Sequence, residues 1–249
     1  MQPTETSDPH ATGEPGSYSR WEDGALVGID GPPTKLAESV HGALRAVVLD
    51  PEFPCVGARS ALNRGTYRFA FYDELDSEGA TSGLARDLVR FARDEAEMGG
   101  EFTTFIASFE APKAGTPEEF EQLLWAQLHR LHEVDTEPWD PTVSADPEDG
   151  RFSFSFGGEA FFIVGLSPTG TRWGRRFPWP TLAFNPHAQF ERLRDDGRFA
   201  RLQATVRERD LHLEGDLNPN LADFGAHTEA RQYSGRPVED DWRCPVHFE

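Results

Sequence analysis

Lysine is nearly missing from this chain: Lys35 and Lys113 are the only two. Cysteine is equally scarce, with Cys55 and Cys244 far apart and no CxxC or CxxCH pair. That excludes a disulfide framework, a four-cysteine zinc site and covalently attached c-type haem. No apolar run approaches the roughly 20 residues of a membrane span. The opening MQPTETSDPHATGEPGS has neither a basic nor an apolar leader region. The expectation is a soluble, cytoplasmic protein. GxGxxG between a strand and a helix, GxxxxGK[ST] and GxSxG are all absent, so nicotinamide chemistry, phosphate-loop ATPase activity and α/β-hydrolase chemistry have no support.

What is abundant is carboxylate. The 43 acidic residues outnumber the 24 basic ones, for a net charge of -19. A field of that sign repels nucleic acid and anionic membrane surfaces, so neither is an expected partner. Carboxylates at this density, with arginine as nearly the whole basic complement, point to a salt-adapted, halophilic protein, with an acidic protein of a high-GC mesophile as the alternative. Aromatic residues make up 12% of the chain, with 19 Phe and 6 Trp, enough to build a core.

Residues 1–17 are rich in Pro, Thr, Ser and Gly and are expected to be a disordered tail, leaving 18–249 as one domain. Leu36, Val40, Leu44 and Val47 share one helical face over 35–49, and Pro51 stops that helix. The FPCVGARSALN stretch reads as a loop and 66–72 as a strand. Leu84, Leu88 and Phe91 mark a second helix ending at Gly99 and Gly100, and 102–109 is a buried strand. Thr116, Pro117 and Glu119 form a capping box that starts a third helix. Phe152 to Leu166 reads as a hairpin turning at Gly157 and Gly158. A strand at 182–184, helices at 186–195 and 198–209, and a strand at 211–214 complete the chain. Helices and strands alternate without a regular βαβ rhythm, which predicts an α+β fold with a mixed β-sheet flanked by helices.

Several residues could carry chemistry. His187 falls at the start of a helix that Asn185 is expected to cap and Pro186 to begin. The roughly half positive charge of a helix amino terminus keeps such a ring neutral and able to ligate metal, although plain packing explains it equally. Cys55, on a Gly- and Pro-bounded loop, is either a small buried hydrophobe or a thiolate ligand. His129 and His132 lie on one helical face with Asp135, a spacing that suits a metal or simply a solvated face. Cys244 and His247 are a weaker pair of the same kind. Arg172, Arg175 and Arg176 form a basic island that either clamps an anion through forked hydrogen bonds or pairs with internal carboxylates.

The blocks FFIVGLSP, RRF, FNPHAQFERLR, RERD, GDLNP, EARQYSGR and WRCP, with FPCVG upstream, resemble the YqcI/YcgG family over roughly residues 50–246. The resemblance implies a haem-dependent N-hydroxylase acting on a guanidino or amino nitrogen of a small arginine-like metabolite. A non-catalytic haem-binding or sensing protein is the alternative. It implies b-type haem (heme b, iron), held non-covalently since CxxCH is absent. His187 is the expected axial ligand and Cys55 the alternative, with Arg175 and Arg176 as clamps for the propionates. For a guanidinium substrate the candidate residues are Glu208, Asp210, Asp223 and Glu229, with Gln232 and Tyr233 as polar lining. An electron donor or peroxide is the implied co-reactant, and a homodimer is an assembly state open to it.

Salt adaptation has a direct test. The Debye length falls from about 30 Å at 0.01 M salt to about 3 Å at 1 M, so carboxylate repulsion is relieved only at high ionic strength. The melting temperature should climb with KCl into the molar range, and a flat profile would refute the adaptation.

Overall fold

The computed structural model describes residues 18–220 and 227–248; the expected tail and Asp223 lie outside the described residues. Seven strands form one sheet: β1 (Ser19–Glu22), β2 (Ala25–Gly28), β3 (Tyr67–Glu74), β4 (Thr104–Ala111), β5 (Phe154–Phe156), β6 (Glu159–Leu166) and β7 (Thr181–Pro186), in the order β2-β1-β3-β4-β7-β6-β5. The β3–β4 pair is parallel and the other pairs are antiparallel. The fold is therefore α+β with a mixed sheet, as the sequence predicts.

The helices begin where local chemistry provides a cap. Thr34 accepts from the Ala37 amide at the start of α1 (Lys35–Val48), and Ser77 does the same through Ala80 for α3 (Glu78–Met98). Thr116 and Glu119 close both halves of the capping box on α4 (Pro117–Val134).

Four local expectations are corrected. The FPCVGARSALN stretch is not all loop, because Val56–Arg64 forms helix α2 with Cys55 as its cap. Gly57, Ser60 and Asn63 dilute its apolar period. Asn185 does not cap α5 (His187–Asp195); its amide instead donates across the sheet to the Phe162 carbonyl at 3.0 Å, and Pro186 occupies the cap position. The expected strand at 211–214 is the end of α6 (Phe199–Glu214), which runs on until Gly215 adopts a left-handed conformation and returns its N–H to Leu211. Finally, β1 and β2 were not anticipated. Their turn, Asp23-Gly24, has both φ angles positive, which is what an Asp-Gly hairpin turn requires.

Side chains alternate across the central strands, so the sheet has two distinct faces. One carries Phe105, Phe109, Phe161 and Phe184, packed against Leu84, Leu88 and Phe91 of α3 and Phe120, Leu124 and Leu128 of α4. The other carries Phe69 and Ile106 beneath Val40, Leu44 and Val48 of α1. Each fully buried side chain of this size contributes about 1.5–3 kcal/mol, so the helices are held mainly by these faces.

β6 outruns its hairpin partner β5, leaving part of its edge open. The C-terminal segment closes it: the Gly165 N–H donates to the Tyr233 carbonyl at 2.7 Å. A Cβ on Gly165 would lie 2.8 Å from that carbonyl oxygen, and equally close to Leu124 and Phe120. Gly165→Ala should therefore cost about 1–3 kcal/mol by overpacking, read from denaturant unfolding. An unchanged midpoint would show that the C-terminal segment docks more loosely than this.

Candidate functional site

The second sheet face is only half covered. Its outward residues are Thr104 and Ile106 of β4, Ala183 and Asn185 of β7, and Phe162 and Val164 of β6. The register puts Ile106 beside Ala183 and Ala183 beside Val164. α1 and α2 cover the side nearest Ile106 with Leu44, Val48 and Leu62. Over Ala183 and Val164 the chain is bridged by α5 and α6, whose Phe190, Phe199, Leu202 and Val206 form a roof. Between floor and roof is a cavity of about 330 Å3. It is predominantly apolar with a few polar side chains turned inward, the usual build of a small-molecule site.

Cys55 faces this cavity. As the cap of α2, its sulfur accepts from the Ala58 amide at 3.4 Å. Two close approaches hold its loop: a Cβ on Gly57 would lie 3.1 Å from the Phe102 ring, and one on Gly174 would lie 3.0 Å from Pro54. The surrounding protein raises the thiol pKa, while the Ala58 and Gly57 amides and the charge of Arg175 draw it back down. The thiol is open to the cavity although protein atoms surround it.

The three arginines of the basic island separate. Arg172 is buried in a two-point pair with Asp210 at 2.9 and 3.2 Å and also binds Asp216. Arg176 is exposed and donates to the Gly170 carbonyl. Arg175 alone combines a place on the cavity wall with no salt bridge to a described carboxylate. Its guanidinium donates to the carbonyls of Gly165 (3.0 Å), Tyr233 (3.3 Å) and Gln232 (3.0 Å). Burial lowers its pKa to about 10, partly offset by Cys55 and Asp210, and it stays charged at neutral pH.

The expected substrate residues also divide. Glu208 is exposed on α6 and does not line the cavity. Asp210 lines it but is held by Arg172 and by the Asn218 amide. Tyr233 is fully buried behind the wall. Gln232 and Glu229 reach the cavity from a 3-10 turn, Glu229–Gln232, whose start is capped by Thr228. Glu229 Oε1 accepts from the Tyr233 hydroxyl at 2.6 Å and the Ser153 hydroxyl at 2.7 Å. Burial pushes the Glu229 carboxyl up to about 7, against the opposing pull of Tyr233, Ser153 and Arg194.

His187 is not among the cavity residues. Its ring is buried at the first position of α5, with Nε2 3.7 Å from Glu191. Burial and the nearby Arg194 lower its pKa, so the imidazole is neutral as expected, but it faces elsewhere. His129 is exposed beside Glu133, and His132 packs edge-on against Trp139 and Phe248. Among the described residues no group of three or more His, Cys, Asp and Glu side chains is placed to hold a metal ion, so the site imagined on His129 and His132 is not formed. Arg194, Arg207 and His227 do line the cavity, although local spacing gives no sign of it. They come from three separate stretches of chain.

A model of the YqcI/YcgG family matches residues 44–247, and the chain belongs to that family. Two Bacillus subtilis (strain 168) proteins, "Uncharacterized protein YcgG" and "Uncharacterized protein YqcI", are 27% and 28% identical to it. Those similarities cover 79% and 78% of this chain and 81% and 80% of the relatives. The Streptomyces lavendulae protein named "Putative N(omega)-hydroxy-L-arginine synthase DcsA" is 27% identical over 72% of this chain and 69% of its own length. No solved structure matches the chain. No helix among the described residues is long and apolar enough to cross a membrane.

Glu229 yields a pH test on the unliganded protein. Its carboxyl has an ordinary pKa of 4.5 and one of about 7 in the fold, so folding favours the protonated form. That contribution is fully present below pH 4.5 and is lost as the pH rises through 7. Glu229→Gln, which stays neutral, should gain on the wild type across that window and then hold a constant lead. At about 1.4 kcal/mol per unit, the pH-dependent gain is on the order of 3 kcal/mol. Parallel unfolding curves at every pH would place the Glu229 carboxyl in contact with water.

Proposed function

Starting from membership of the YqcI/YcgG family, we propose that this protein is a haem-dependent N-hydroxylase. It acts on a guanidino or amino nitrogen of a small arginine-like metabolite, with Cys55 as the protein ligand to iron. The observation that carries this assignment is the Cys55 sulfur, presented at a helix amino terminus to an apolar cavity that also holds Arg175 and Glu229. The activity named for the Streptomyces lavendulae relative, synthesis of N(omega)-hydroxy-L-arginine, supports the substrate class.

The residues present suit the cofactor. A macrocycle needs flat apolar walls, one axial donor and cations for its carboxylates. The cavity offers the Ile106–Ala183–Val164 floor, the Cys55 sulfur, and Arg175, Arg194 and Arg207. Haem, when bound, supplies the oxygen and one-electron chemistry, which no side chain here can perform.

The chain's own contribution is to bind, orient and exclude water. Cys55 would hold the iron as a thiolate; burial raises its pKa, and the amide donors at the α2 amino terminus and the Arg175 charge offset part of that. The Ala58 N–H directed at the sulfur tempers how much electron density it can give. Phe199, Leu202 and Val206 close the roof against bulk water, which strengthens every charge interaction beneath it. His187 stands outside the cavity, so Cys55 rather than His187 would hold the iron.

Purified, haem-replete protein tests this. The pigment should leave the chain on acid-acetone extraction, as b-type haem does. The reduced carbonyl complex should absorb at the long wavelength characteristic of a thiolate ligand. Cys55→Ser should lose that band, while His187→Ala should keep it. Ala183→Phe, which fills the floor, should fold but bind little haem. With a reductant and oxygen, or with peroxide, an arginine-like substrate should gain one oxygen on nitrogen by mass spectrometry. A thiolate-type band that survives in Cys55→Ser but vanishes in His187→Ala would sink the assignment of Cys55.

A further inference from the structure

Among the described residues two carboxyl groups line the cavity, Asp210 and Glu229, and their situations are opposite. Asp210 receives both nitrogens of the Arg172 fork, so its charge is already answered. Glu229 receives only hydroxyl donors, from Ser153 and Tyr233, and both converge on Oε1. Among the described residues no hydrogen bond ends on Oε2. Arg194, whose charge acts on it, is paired with Glu191, and the Arg175 fork is taken up by three carbonyls.

The support behind Glu229 is rigid. The Tyr233 ring is fully buried and stacks on Trp125 with centroids 5.4 Å apart. Its hydroxyl accepts from the Phe154 amide at 3.1 Å while donating to Glu229 at 2.6 Å. The carboxyl is therefore held in one orientation at the cavity wall, and no described residue donates to its Oε2. Such a group is preorganised for a planar cation that can donate from two nitrogens.

We propose that Glu229 is the residue that receives the cationic end of the substrate, and that it selects a guanidinium over the neutral ureido group of the same shape. This rests on the function proposed above for the same cavity. A guanidinium brings both the positive charge and the N–H donors that Oε2 lacks, whereas a ureido group brings no charge and turns a carbonyl oxygen toward one carboxylate oxygen.

The empty site and the filled site then differ by a proton. Ser153, Tyr233 and Arg194 are the polar and charged groups acting on Glu229, and with burial they leave its carboxyl near pH 7. An arriving guanidinium favours the carboxylate, so binding below about pH 7 expels the carboxyl proton to solvent. Above that pH no proton is released.

L-Arginine and its ureido isostere L-citrulline are the probes, titrated calorimetrically into the full-length protein with and without haem. Wild type should prefer L-arginine by roughly 10- to 100-fold, the usual worth of hydrogen bonds to a charged group. Its binding enthalpy should depend on the buffer below pH 7, reporting a released proton, and become independent of the buffer above it. Glu229→Gln should fold, bring the preference close to unity and abolish the proton release. Ser153→Ala, which removes one donor from Oε1, should keep the preference but carry proton release to higher pH. Equal affinity for the two probes in wild type, or an unchanged preference in Glu229→Gln, would overturn the assignment. Failure of the haem-dependent reading would appear separately, as wild-type protein that takes up no pigment while the probe preference on the haem-free chain still tests Glu229.

Discussion

The Arg175 guanidinium is the contact on which the site depends. One side chain collects the carbonyls of Gly165 in β6 and of Gln232 and Tyr233 in the C-terminal segment. Those three oxygens belong to stretches nearly 70 residues apart in the chain. Burying a guanidinium is costly, and here dipoles rather than a carboxylate compensate it, which leaves the positive charge expressed in the cavity. The same bonds fix the 3-10 turn that carries Glu229, so the site's cation and its unanswered carboxyl are placed by a single interaction. Gly235 makes room for it: a Cβ there would lie 3.0 Å from the Arg175 side chain.

The cavity itself follows from how strands alternate. The residues of β4, β6 and β7 that face α3 and α4 are largely aromatic or long aliphatic, and they fill that side to core density. On the other side the central position is Ala183, flanked by Ile106 and Val164, and a small residue between two β-branched ones cannot reach a helix at normal packing distance. α6 crosses this gap instead. It is fastened at its C-terminal half by the Arg172–Asp210 pair and by Arg209 on the Pro51 carbonyl, while Phe199, Leu202 and Val206 face the void. A ligand seated in the cavity would bury that apolar face further.

Much of this architecture was legible in the sequence, and the parts that were not share a cause. The α4 capping box, the Gly157-Gly158 turn and the apolar stripe of α3 are local signals, and each appears where expected, whereas of the expected α1 stripe Val40 and Leu44 are buried and Leu36 is exposed. α2 was hidden because its cap is a cysteine and its stripe is thin. The Asp23-Gly24 pair is itself a hairpin-turn signal, both residues having positive φ. The site was less legible, since membership in a cavity is decided by tertiary packing. Arg172, Arg175 and Arg176 are equivalent by composition, yet one pairs internally, one lies at the surface and one turns inward. His187 has the local setting of a ligand, but the one-residue difference between a cap and a first helical position, with Asn185 drawn off to Phe162, accompanies a ring that faces Glu191.

The charge distribution joins the surface to the site. A chain of net charge -19 surrounds itself with negative potential, which draws small cations toward any opening and slows the approach of anions. Inside, the sign is locally reversed at Arg175, and Glu229 is largely discharged below neutral pH. On the function proposed above, a guanidinium metabolite would be concentrated by the exterior and would meet its counter-charge at Glu229. On that reading the exterior field favours a small cationic metabolite over an anionic one of the same size.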